Sequence, residues 1–146
     1  MIMKKIFIRL ADPFPSHYVF NLAMLFFRIA ASLEMIFVHG FKKIAIGTGE
    51  AEKIPNPLHL PEVFNNAFAI SANIFFPFLV LIGCCTRLAT LPSLAVTLTG
   101  YFILHWNDTA LIRDTPFIYS IIFLLILALG PGKYSIDHYL YKKLVK

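Results

Sequence analysis

Four apolar stretches, parted by short polar breaks, set the pattern of this chain. They cover about residues 19–39, 62–83, 88–106 and 113–130. A helix needs about 20 mostly apolar residues to cross a bilayer core, and each stretch meets or nears that length. The last is the shortest; its helix must start before Pro116 or sit where the bilayer is thin. The pattern predicts an all-α fold, an integral membrane four-helix bundle.

The breaks fit this division. Residues 1–18 are basic and interrupted by Pro13 and Pro15, which reads as an interfacial arm. The 40–61 loop carries Lys42, Lys43, Lys53, Glu50 and Glu52 with Pro55 and Pro57. Thr86-Arg87 makes a tight turn, residues 105–114 a short polar loop, and Gly130-Pro131-Gly132 a stop. Pro77 should kink the second span, because proline has no N–H and clashes one turn back. Pro92 falls in the first turn of the third span, where proline is tolerated. In the 131–146 tail, Ser135 can cap a short helix with Ile136, Tyr139, Leu140 and Leu144 on one side, the pattern of an interfacial amphipathic segment.

Composition agrees: 58% of the 146 residues are hydrophobic, 14% are charged, and mean hydropathy is +0.73. Soluble domains run near a quarter charged. The net charge of +5 needs no nucleic-acid partner, because Lys and Arg near span ends set membrane orientation. Basic residues gather in the arm, the Arg87 turn and the tail, while the other two loops hold most of the acids. The positive-inside rule then puts both termini in the cytoplasm. Lys4 and Lys5 precede too short an apolar piece for a cleavable signal. Cys84 and Cys85 are the only cysteines; adjacent thiols rarely bridge, and no metal framework is available.

Polar residues inside the spans are the candidate chemistry. A central arginine costs roughly 2.5 kcal/mol or more on insertion scales, so Arg28 must be surrounded by protein or water. Arg28, Ser32, Met35 and His39 share one helical face; so do Thr97, Tyr101 and His105, and so do Asn66, Asn73 and Pro77. At about 1.5 Å per residue, Arg28, Asn73 and Thr97 fall near the membrane centre and His39 and His105 at the outer interface. The three stripes together predict a polar interior open to the outer face. There Arg28 is either a staple bonded to Asn73, Thr97 or a carbonyl, or the counter-charge for a bound anion. The histidines either sit wet at the interface or handle protons. Glu34 lies about 120° from the Arg28 stripe, on a side with Ala23 and Ala30, small residues that let helices approach. It should meet another helix or another subunit. Trp106, Tyr101 and Tyr119 read as interfacial belt aromatics.

Several pieces, in order, resemble the DoxX family of small four-helix membrane proteins. They are Arg28 followed by His39-Gly40 and Lys43; Leu81-Ile82-Gly83 leading into Thr86-Arg87-Leu88-Ala89; His105; and Gly130-Pro131-Gly132-Lys133-Tyr134-Ser135-Ile136-Asp137. The resemblance spans about Leu22 to Leu140. Family members often carry a glutamate where this chain has Asn73, which can hydrogen-bond Arg28 but cannot carry a proton. The resemblance implies a multi-pass protein of the bacterial inner membrane linked to redox chemistry, with quinone as a possible cofactor. Its candidate ligand or proton-handling residues are Arg28, Glu34, His39, Lys43, Asn73, Tyr101 and His105. Gly83, Arg87, Gly130, Pro131, Gly132, Ser135 and Asp137 form its structural motif. Three readings follow: a quinone- or sulfur-linked subunit needing a redox partner, a membrane scaffold or assembly factor, and a lipid- or solute-binding protein. Membrane lipids, a partner subunit or a second copy are the expected partners.

Overall fold

The computed structural model describes residues 16–145. The expected interfacial arm therefore lies, apart from its last residues, outside the described residues. Those described form helices and loops with no strand. Helix α1 covers His17–Glu34 and runs on through a wide π turn at Met35–Gly40 and a 3-10 turn at Phe41–Ile44. Helices α2 (Glu62–Asn73) and α3 (Phe75–Ile82) form the second long element. Helix α4 (Thr86–Thr99) ends in a π turn at Gly100–Leu104. Helix α5 covers Ala110–Leu129 and helix α6 Ile136–Leu144. His17–Ile44, Glu62–Ile82, Thr86–Leu104 and Ala110–Leu129 are each long and apolar enough to cross a membrane.

Pro77 does break the second element. Its ring leaves the Asn73 carbonyl, one turn back, without a helical donor, and the chain departs from helix at Ile74 (φ −124°, ψ −64°). Gly40 fills the space this creates. A Cβ there would stand 2.8 Å from the Asn73 carbonyl oxygen and 2.6 Å from Ile74, so only glycine lets α1 approach the break. Pro92 is not in a first turn, because α4 begins at Thr86 and passes through it. The helix starts earlier than its apolar pattern because Asp137 caps it from another segment (below).

The core joins Met35, Val80, Ala89, Leu94, Tyr119, Phe123 and Ile126. Tyr119, expected in an interfacial belt, is 8% exposed. Many large apolar side chains face outward, among them Phe26, Val63, Leu88 and Leu111. That inversion suits a bundle solvated by hydrocarbon, where helix contacts come from small residues and hydrogen bonds. Ser93 Oγ donates to the Ala72 carbonyl (2.7 Å), and the Ser120 and Thr97 hydroxyls stand 3.0 Å apart.

Candidate functional site

The polar interior divides into three places. The first is a knot at the Gly83 end of the bundle. Arg28 is 1% exposed. It donates from Nε to the Leu81 carbonyl (3.3 Å), from Nη1 to Pro131 and from Nη2 to Tyr134 (2.8 Å). An arginine has five N–H groups in a planar fork and no other side chain has as many, so one residue can tie the end of α3 to the Pro131–Tyr134 segment. Gly83 sits beneath this fork with φ +74°, and a Cβ there would lie 2.5 Å from Ser135 Cβ and 3.0 Å from Arg28 Cζ. The Gly83 carbonyl accepts from the Asp137 N–H (2.8 Å). Ser135 caps α6 by accepting from the His138 N–H (3.1 Å). The Asp137 carboxylate accepts from the N–H groups of Cys85 (2.6 Å) and Thr86 (2.8 Å) and from the Thr86 hydroxyl (2.7 Å). It thereby satisfies orphan donors at the start of α4 and places negative charge where the helix dipole favours it. Arg87 Nε donates to the Leu127 carbonyl (3.1 Å) beside Gly130. All seven residues of the expected structural motif meet here.

Of the acceptors weighed for a staple, Arg28 takes carbonyls and not Asn73 or Thr97; Asn73 Nδ2 donates to its own helix at the Ala69 carbonyl (2.6 Å), and Thr97 Oγ1 to Leu94 (3.1 Å). One expectation is corrected: Arg28 is not central, since Leu81 is one residue from the end of α3. The reason is an offset of α1. Its first turns run past the end of the other spans beside the 131–133 segment, where the Lys133 N–H donates to Asn21 Oδ1 (2.7 Å). Depth counted from the start of the apolar run was therefore wrong by about two turns.

The same offset moves His39 inward, to the second place. Its ring meets Tyr119 edge-on, with centroids 5.1 Å apart. Tyr119 stands midway along Ala110–Leu129, roughly 15 Å from either end at 1.5 Å per residue. His39 is thus not at the outer interface. Lys43 Nζ donates to the His39 carbonyl (2.9 Å) and lies 3.6 Å from a Glu52 oxygen, while Lys42 pairs with Glu52 at 2.9 Å. The Glu52 N–H donates to the Lys42 carbonyl (2.9 Å), so the 40–61 loop folds back onto the end of α1. Burial alone would raise the Glu52 carboxyl, but the hydrogen bond from Lys42 and the charge of Lys43 hold it below the ordinary carboxylate range. The Lys43 side chain is 12% exposed.

The third place is the far end. His105 Nδ1 lies 2.6 Å from Asp108 Oδ2, a carboxylate partner the spacing did not suggest. The Arg113 guanidinium covers the rings of Tyr101 (4.6 Å) and Trp106 (5.1 Å), within cation–π range. His39 and His105 thus take separate partners, Tyr119 and Asp108. Among the described residues no group of three metal-ligating side chains converges.

Glu34 takes the opposite course. It is exposed on the outside of the bundle beside exposed Ala23 and Ala30, six residues beyond Arg28, or about 9 Å along the axis. It has no hydrogen bond or ion pair among the described residues. Glu52 and Tyr119 are the members of the middle cluster that sequence spacing missed. Glu52 lies in a loop without periodicity, and Tyr119 carries no signal separating a core tyrosine from a belt one.

A four-helix apolar bundle, stapled by one arginine to the segment after its last span, defines a small integral membrane protein. The sequence model of the DoxX family matches residues 23–106, more than half of the chain, which therefore belongs to the DoxX family. The match stops short of the Gly130–Asp137 segment. The chain is also 28% identical over 91 residues to an uncharacterized protein of Haemophilus influenzae, a match covering 59% of this chain and 60% of that relative. No solved structure matches it.

Proposed function

We propose that the protein is a quinone- or sulfur-linked subunit of a redox complex in the bacterial inner membrane, with its site at His39, Lys43 and Tyr119. The observation that carries this reading is the pairing of His39 with Tyr119, midway along an apolar bundle, beside the largely buried Lys43. A quinone head is flat and neutral, dissolves in hydrocarbon, and ends in two carbonyl oxygens that need donors. An imidazole, a phenol and an ammonium supply donors, and a histidine is the side chain suited to handing on a proton. Reduction of a quinone takes up electrons and protons in equal number. The chain binds and protonates; a partner subunit, or a sulfur compound oxidised there, delivers the electrons. With both termini cytoplasmic, as the positive-inside rule expects, the Lys42–Glu52 pair stands on the outer side of the cluster.

Arg28 drops out of this reading, because it is buried at the Gly83 end with each of its three nitrogens bonded to a carbonyl. The test is mass spectrometry of quinones and other small molecules retained by the full chain in mild detergent, compared with His39→Ala and Lys43→Ala. Retention by the wild type and loss from both folded variants supports the site. Quinone retained equally by all three, or by none, overturns it.

A second reading, a scaffold or assembly factor, is favoured by Glu34 alone. A carboxylate on the outer surface of a membrane helix is costly unless another chain covers it. Under that reading Glu34→Leu releases a co-purifying membrane partner while His39→Ala keeps it.

A further inference from the structure

We infer that the cleft between α6 and the start of α4 binds the anionic headgroup of a phospholipid. The cleft measures about 530 Å³ and is lined on its polar side by Asn21, Arg87, Lys133 and His138. Among the described residues, neither Arg87 nor Lys133 has a carboxylate within salt-bridge distance. Arg87 uses Nε on the Leu127 carbonyl, which fixes the side chain and leaves donors on its other nitrogens. His138 Nε2 is buried with no hydrogen-bond partner among the described residues, and a buried ring nitrogen without a partner is a standing cost. That nitrogen is closed to solvent as the chain stands, so a phosphate oxygen meets it only once the ring turns out into the cleft, which His138 lines.

Asp137 also lines the cleft, and its charge would repel a phosphate. Its charge remains, but the carboxylate is turned to three donors at the start of α4 and is outnumbered in the cleft by Arg87 and Lys133. The helix N-terminus is thus spent on Asp137, and the cations beyond it set the sign of the cleft.

The apolar lining says which kind of anion fits. Leu88, 69% exposed, and Tyr141, 61% exposed, border the same cleft. Leu88 lies in the first turn of a span, so the cleft opens where a bilayer's headgroups give way to its chains. A headgroup held by Lys133 and Arg87 can lay its acyl chain along Leu88, whereas a soluble phosphate gains nothing from that surface.

The full chain in nanodiscs of phosphatidylcholine containing a minor share of phosphatidylglycerol tests this by native mass spectrometry of retained lipid. Wild type should hold phosphatidylglycerol in preference to phosphatidylcholine. Lys133→Gln and, separately, His138→Gln should each weaken that preference; for Lys133 the loss is about fivefold, since one surface cation is worth about 1 kcal/mol. Both side chains lie outside the bundle core, so either variant suffices if the other misfolds. The control is Lys143→Gln, a tail lysine outside the cleft. Equal losses from Lys143→Gln and Lys133→Gln would mean diffuse surface charge and overturn the site. So would a wild type without lipid preference, or displacement of the lipid by inorganic phosphate, which would make the ligand a free anion.

Discussion

Replacing Arg28 with alanine should cost the fold about 4 kcal/mol. The change removes three donors and leaves the Leu81, Pro131 and Tyr134 carbonyls without their partner. A buried group left unpaired costs about 1–3 kcal/mol. Full penalties on all three would approach the upper end of that sum. Pro131 and Tyr134 lie in a segment at the end of the bundle, however, and can turn toward water, so roughly half remains. Domains hold only about 5–15 kcal/mol in all, and for a chain of this length 4 kcal/mol corresponds to a fall in midpoint of roughly 10 °C. The assay is thermal unfolding in a fixed detergent, followed by the loss of the monodisperse peak. Arg28→Met, which keeps the bulk without the donors, should fall nearly as far as alanine. Arg28→Lys should recover a minor part, because an ammonium cannot span the three carbonyls that the planar fork reaches. An Arg28→Met variant with an unchanged midpoint would refute the staple and return Arg28 to the ligand-binding candidates.

Further outcomes follow from the same geometry. Asp137→Ala should destabilise by about 1–2 kcal/mol through loss of the cap on α4, and hydrogen exchange should rise first at Cys85 to Ala89. Gly83→Ala should cost about 1–3 kcal/mol more than Gly47→Ala: both have positive φ, but a Cβ at Gly47 meets nothing within 4 Å. Glu52 has a lowered folded-state pKa, so its pairing stabilises the docked loop above the unfolded carboxylate value and is lost as pH falls through the folded one. Limited proteolysis of the 45–61 loop should therefore increase on acidification, and Glu52→Gln should make it independent of pH. Glu34→Leu should leave the detergent-solubilised monomer's midpoint unchanged within about 0.5 kcal/mol, and a large loss would place Glu34 inside the fold.

The four helices were legible because hydrocarbon imposes a length and a composition that survive in any single sequence. Pro77 was legible for the same kind of reason, since its missing N–H acts locally whatever packs against it. Depth was not legible. Counting from Val19 assumed that all spans begin at one level, and contacts distant in sequence, such as Lys133 to Asn21 and His39 to Tyr119, reveal that α1 starts lower. The polar stripes were correctly placed on their faces, yet Arg28 pairs across 53, 103 and 106 residues of sequence, and no periodicity encodes such partners. The middle cluster was half visible. His39 and Lys43 stood out by type, but Glu52 arrives from a loop, and loop conformation leaves no repeat to read.

The Arg28 knot has a consequence for how the protein is made. The first span enters the bilayer carrying a guanidinium whose last acceptor, the Tyr134 carbonyl, lies 106 residues further along the chain. Until the final span has crossed and the 131–134 segment has emerged, that charge has no native acceptors except, later, Leu81. The nascent chain must therefore keep Arg28 near the interface, in water or headgroups, and draw it in only when the last helix arrives. Assembly closes in one late event, and a chain truncated before residue 131 would be left with an inserted helix that still holds an unclaimed positive charge.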